Sequence, residues 1–194
     1  DAQVFVSRNG ALWAGSDSAI SRFDPESDRF DVYRIPSEPV SQYHGIGEDA
    51  DGKLWLATWK AGLQRFDPTT GEFTSYRYDP AQTGLSSHWV NTVMVDRSGI
   101  IWAGTQAGLN RLDPRTGAFT VFGEREGLSN STVTGILEDI NGSLWLSTNN
   151  GLSRFDPETR RLRNFDANDG LQSNEFNYGA AFKRAGIIRA DTFE

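Results

Sequence analysis

Residues 99–114 read GIIWAGTQAGLNRLDP, and nearly the same phrase stands at 10–25 (GALWAGSDSAISRFDP), 52–68 (GKLWLATWKAGLQRFDP) and 142–157 (GSLWLSTNNGLSRFDP). The tryptophans at its centre, Trp13, Trp55, Trp102 and Trp145, are 42, 47 and 43 residues apart. A period in that range marks stacked supersecondary units, none of which can bury its apolar face alone. Within a unit the runs alternate apolar and polar, as in Thr92-Val93-Met94-Val95 and Phe73-Thr74-Ser75-Tyr76, and Gly, Asn and Asp-Pro punctuate them. That alternation belongs to half-buried strands.

Around Trp102 four strands fit one unit: A at Val90–Asp96, B at Ile100–Gly104, C at Leu109–Leu112 and D at Ala118–Phe122, separated by glycine and Asp-Pro turns. The fold class that follows is all-β, a β-propeller of four-stranded antiparallel blades. Four complete repeats occupy 1–175 and a partial fifth 176–194. The four tryptophans are predicted to sit on strand B, largely buried between blades. In the fifth unit Asn177–Lys183 resembles strand A and Ala185-Gly186-Ile187-Ile188 the entry to strand B, but Arg189 stands where the tryptophan should be. Two arrangements fit this ending. Either a small propeller closes on a composite blade to which the N-terminal strand Gln3–Ser7 contributes, or the chain is a segment of a larger propeller whose open side is covered by neighbouring blades or a second chain, as in a dimer.

Composition narrows the partners. The chain has 26 acidic and 19 basic side chains, net charge −7, and no run of lysine or arginine, which speaks against nucleic acid and anionic membranes. No stretch is long and apolar enough to span a bilayer. With no cysteine there is neither a disulfide framework nor a thiolate metal site. Asp49-Ala50-Asp51-Gly52 has the look of a calcium loop but lacks the closing glutamate, and no P-loop, nucleophile elbow or His-x-x-x-His is present, so no metal, cofactor or catalytic residue is expected.

The pattern DxxGxLWxxTxxGLxRFDPxTGxFxxY, fullest at 49–76 and 96–122, resembles the two-component regulator propeller repeat, and GLQSNEFN at 170–177 is similar to the last blades of that family. The resemblance implies a periplasmic sensor module, the extracytoplasmic part of a bacterial hybrid histidine kinase or diguanylate cyclase. It also implies an oligosaccharide or other small polar solute as ligand.

Topology locates a site. In a meander the A–B and C–D turns share one end of the blades and the B–C and D–A loops the other. The first end is monotonous, built from Asp-x-x-Gly and Asp-Pro turns. The second varies from copy to copy and holds both histidines and the two tryptophans outside the repeat. The candidate ligand-binding residues there are Tyr43, His44, Trp59, His88, Trp89, Gln106, Asn149 and Asn150. Aromatic planes beside amides suit a sugar, which has apolar C–H faces and paired hydroxyls. Structural explanations compete: Trp89 as a plug of the channel mouth, Trp59 as a surface staple, the histidines as satisfied loop residues, and Asn149 and Asn150 as hairpin residues tolerant of left-handed backbone. Two other function classes stay open, a protein-binding propeller and an enzyme similar to streptogramin B lyase, a propeller with a GLW-like phrase.

Overall fold

The computed structural model describes residues 3–16, 18–36, 42–80, 84–184 and 187–192, with backbone alone for Gln3 and 177–192. Asp17 and the turn at Ala185-Gly186 therefore lie outside the described residues. Blade 1 comprises β1 (Gln3–Val6), β2 (Leu12–Ser16), β3 (Ala19–Asp24) and β4 (Arg29–Arg34). Blade 2 comprises β5 (Tyr43–Glu48), β6 (Leu54–Thr58), β7 (Gly62–Phe66) and β8 (Phe73–Tyr76). Blade 3 has β9 (Val90–Val95), β10 (Ile101–Thr105), β11 (Gly108–Leu112) and β12 (Phe119–Phe122). Blade 4 has β13 (Val133–Glu138), β14 (Leu144–Thr148), β15 (Gly151–Phe155) and β16 (Leu162–Phe165). A two-stranded sheet follows, β17 (Phe176–Arg184) with β18 (Ile187–Thr192).

Every complete sheet is an antiparallel meander in sequence order. The first strands of successive blades pack on one another, β5 on β9, β9 on β13 and β13 on β17, so they line the axis and the D strands form the rim. Of the two arrangements, the one in which the N-terminal strand helps to close the ring is not seen among the described residues. β1 pairs with β2 alone, at Phe5↔Trp13, because its alternation matches a strand A. The outward face of blade 1 leaves Val4, Val6, Phe30 and Val32 exposed at 67, 63, 49 and 56%. The same face of blade 2 buries Leu54 and Phe66 beneath Trp13 and Tyr33 of blade 1.

The turn aspartates do more than shape the turn. Asp96 Oδ1 accepts the Ser98 and Ile100 amides, both at 2.9 Å, while Oδ2 accepts the Trp102 indole N–H at 2.8 Å. Asp49 and Asp139 repeat this with Trp55 and Trp145 at 2.9 and 3.0 Å. In blade 1 Ser7 takes the aspartate's place, and its hydroxyl bonds to Asn9 Oδ1, which in turn accepts the Ala11 amide. The staple explains why Asp and Trp recur together six residues apart: a buried indole N–H needs an acceptor, and a charged one is the strongest available.

Trp13, Trp55 and Trp102 are buried, at 2, 3 and 0% exposure. Trp102 meets Phe155 of blade 4 edge-on at 5.7 Å, and Trp13 meets Phe66 of blade 2 in the same way. Trp145 departs from the expectation. It is half-buried and stacks on Phe165 of its own blade at 5.4 Å; Trp55 packs on Tyr76 in a similar way but is covered by Leu112 and Phe119 from strands C and D of the next blade, whereas the sheet after blade 4 has two strands among the described residues.

The aspartates also set the acid limit of stability. Asp67 is held below the usual carboxylate range first by the Lys53 ammonium, Asp113 by the Arg115 amide and Asp156 by the Thr159 hydroxyl. At Asp139 burial opposes ionisation, but the Trp145 indole and the Asn141 and Ser143 amides outweigh it. Folded-state values below the unfolded ones give stability that is complete above the unfolded carboxylate pKa, about 3.9, and is lost as pH falls through the folded values. Thermal melts from pH 7 to 2.5 should show the loss concentrated below about pH 4. A melting temperature that is flat to pH 2.5 would contradict this.

Candidate ligand-binding face

The loop-rich end is built on three hairpins of one design. The Thr58, Thr105 and Thr148 hydroxyls donate to the carbonyls of Gly62, Gly108 and Gly151 at 2.5, 3.0 and 3.0 Å. These glycines have φ of 80, 121 and 86°, and a Cβ there would come within 2.1–2.6 Å of a strand-D carbonyl. No side chain fits, so the glycine after each variable tip is required.

In blade 2 the tip is one residue longer, and the extra length brings Trp59 back over the axis. Its amide donates to Gln42 O, the Lys60 amide donates to His88 O, and Trp59 bridges Trp89. The Trp59 ring stacks on His44 at 4.1 Å and 22°, meets Trp89 edge-on at 5.2 Å, and donates from Nε1 to Asn91 Oδ1 at 3.1 Å. Gln106 joins through its amide, which donates to Trp89 O at 3.2 Å. His44, Trp59, Trp89 and Gln106 are thus brought together, the three rings half-buried and Gln106 exposed. Burial holds the His44 pKa below the ordinary histidine value, so the ring stacked on Trp59 is neutral at neutral pH.

The other candidates fall elsewhere. Tyr43 is buried between blades 1 and 2 at 4% exposure, its ring against Gly15, and burial raises the pKa of its hydroxyl. His88 is exposed and leans on Tyr78 at 4.8 Å. Asn149 and Asn150 are exposed on the blade 4 hairpin, where Asn150 Nδ2 donates to Ser129 O at 3.3 Å. Asn91 was not legible as a site residue. It is fully buried and links Trp59 to the Val133 carbonyl of the next blade, and its one signal was an amide inside an otherwise apolar strand start, Val90-Asn91-Thr92-Val93.

A second element on this face is the serine of each Gly-Leu-Ser entering a blade. Ser86 Oγ pairs with Thr105 Oγ1 at 2.9 Å, and Ser129 Oγ with Thr148 Oγ1 at 3.0 Å. Beside each lies an outer cleft between the connection entering the blade and the connection leaving it. That of blade 3 measures about 730 Å³ and is walled by Tyr78, Leu85, Ala107, Val121 and Glu124. That of blade 4 measures about 330 Å³ and includes Ser129, Asn150 and Asn164. Among the described residues no group of three or more His, Asp or Glu side chains is placed to hold a metal, and no helix is long and apolar enough to cross a membrane.

Comparison with known proteins shows what this architecture is similar to. The profile of the two-component regulator propeller matches residues 127–150. No curated protein matches. The extracellular domain assigned to the hybrid two-component system BT4673 of B. thetaiotaomicron superposes with TM-score 0.80 at 23% identity, covering 99% of this chain and 29% of that one. The corresponding domain of BT3049 from the same organism gives 0.80 at 21%, covering 97% and 27%. Virginiamycin B lyase of Staphylococcus aureus gives 0.70 at 15%, covering 98% and 69%. The chain thus spans less than a third of the length of those extracellular domains, and the likeness is one of fold. The repeat of the two-component regulator propeller is thus matched directly in blade 4, and the β-propeller blade architecture is shared with those domains along nearly the whole chain.

Proposed function

We propose that this propeller is a ligand-recognition module of a bacterial signal-transduction receptor, extracytoplasmic and periplasmic, and that its loop-rich face takes an oligosaccharide or similar polar solute. Occupancy would pass to a histidine kinase or diguanylate cyclase region of the same parent chain. The observation that carries this is the segregation of the two ends: one is stapled identically in blade after blade, while the other gathers His44, Trp59 and Trp89 into an aromatic cluster with Gln106 beside it. Half-buried rings next to amides offer stacking for a sugar face and partners for its hydroxyls. The charge balance of −7 supports a ligand other than nucleic acid. A binding role is favoured over a catalytic one because the two histidines lie on separate aromatic partners, His44 on Trp59 and His88 on Tyr78.

The test is calorimetric titration of the chain with a panel of neutral and acidic oligosaccharides. Trp59→Ala and Trp89→Ala should each weaken binding at least tenfold. Loss of its stack and of the Asn91 bond should cost Trp59→Ala about 1–2 kcal/mol of stability, leaving the variant folded. Undiminished affinity in both variants would overturn the assignment of the face.

A further inference from the structure

The outer clefts of blades 3 and 4 are walled by the same strand and hairpin ladders, while the connections that enter them differ: Gly127 caps a 3-10 turn with φ 108°, and Gly84 at the same place in Gly-Leu-Ser has no positive φ. The ladders align Val121 with Asn164, since Asn110↔Val121 corresponds to Ser153↔Asn164, and the hairpin ladders align Ala107 with Asn150. In blade 4 two carboxamides line the cleft. Asn164 Nδ2 donates to Gly127 O at 2.9 Å, and Asn150 Nδ2 donates to Ser129 O at 3.3 Å. The corresponding carbonyls of blade 3 belong to Gly84 and Ser86. Opposite them stand Val121 and Ala107, which have no donor, and neither carbonyl accepts a hydrogen bond among the described residues.

The connection entering blade 3 is also longer, running from 77 to 89, where the one entering blade 4 runs from 123 to 132. It sets Tyr78, 39% exposed, as the far wall. Gly84 lets it fold back on itself, because a Cβ there would lie 2.6 Å from Arg77 O. The floor is apolar, made of Leu85, Phe119 and Val121. On the rim Glu124 and Glu126 each hold one carboxylate oxygen on local partners, Ser131 and the Gly123 amide, and face a single arginine, Arg125.

We infer that the blade 3 cleft is a subsite for the acetamido group of an N-acetylated, uncharged amino-sugar oligosaccharide. The group replaces the carboxamides that blade 4 carries in its own chain. An acetamido N–H donates to one of the two carbonyls, its methyl rests on Leu85 and Val121, and the sugar hydroxyls donate to the remaining carbonyl and the glutamates. A carboxylated or sulfated sugar is disfavoured by the glutamates. The cleft continues into the aromatic cluster, because His88 leans on Tyr78 and its carbonyl accepts the Lys60 amide, while Gln106, which bonds Trp89, is next to Ala107. This assignment rests on the proposal that the loop-rich face binds saccharide, and it adds which saccharide. A site built around unpaired acceptors discriminates strongly against an analogue without the donor.

The test compares tri-N-acetylchitotriose with cellotriose, which has the same linkage without acetamido groups, by calorimetry on the wild-type chain and on two variants. Wild type should prefer the acetylated sugar at least tenfold. The double variant A107N/V121N installs the blade 4 side chains, which that blade already tolerates, and should erase the preference while keeping weak affinity for both sugars. Trp59→Ala should weaken both sugars and leave their ratio unchanged. Equal binding of the two sugars by wild type, or a preference that survives in A107N/V121N, overturns the subsite and leaves the saccharide-binding face standing. Binding of neither sugar, with none from a wider saccharide panel, overturns both.

Discussion

Trp102→Ala should lower the unfolding free energy by about 3–5 kcal/mol, the range for deleting a large core aromatic. The ring is wholly buried, seats edge-on against Phe155 and lies near Phe122, so the cavity would open at the joint between blades 3 and 4. At roughly 2–4 °C per kcal/mol for a chain of this size, the melting point should drop by about 6–20 °C. Trp145→Ala is the internal control. That ring is half-buried and stacks on its own blade, so its loss should cost about half as much or less. Urea unfolding of the two variants side by side measures the difference. Equal losses would mean that the interblade joint is not what makes Trp102 costly.

Asp96→Ala is expected to cost about 2–4 kcal/mol although it removes no aromatic contact. The carboxylate accepts two backbone amides and the Trp102 indole, and alanine leaves all three donors unpaired at a site that is 9% exposed. Asp96→Asn separates the two halves of the staple. Its carbonyl oxygen can still accept the Ser98 and Ile100 amides, but its NH2 group then faces the indole N–H, donor against donor. The asparagine variant should therefore fall between wild type and alanine, with tryptophan fluorescence shifted by the released indole. An alanine variant as stable as wild type would show that the turn needs no side-chain acceptor.

How far the residues alone carried the fold differs from how far they carried the site. The blade strands, their order and the equivalence of the four tryptophans follow from period and alternation, because both express contacts between residues close in the chain: the meander pairs each strand with the next, and the turn residues act within four positions. The pairing of Asp with Trp was visible as spacing but not as a bond. Turn chemistry accounted for the aspartate by itself, and only the fold of β9 against β10 shows Oδ2 reaching the indole. The loop face was legible too, since alternation of turns between two ends is a property of any meander.

Tertiary structure alone decided which variable residues meet. Tyr43 looks equivalent to its neighbour His44 in the sequence, yet the register against β6 shifts between Tyr43 and Gly45, which makes His44 the extra residue of a β-bulge, so it lies under Trp59 while Tyr43 lies between blades. Asn149 and Asn150 share a loop class with Trp59 but stand on a hairpin two blades away, where Asn150 lines an outer cleft. The burial of Trp145 depended on a strand that its own repeat does not contain. The open cleft of blade 3 likewise arises from Val121 and Ala107, ordinary residues that become informative once the ladder sets Val121 opposite Asn110, the hairpin places Ala107 at its tip, and both are set against their blade 4 counterparts. The periodic sequence determined the blades because blades are made of near neighbours. Sites lie between blades, where residues some 40 positions apart meet, and no local pattern records which of them face each other.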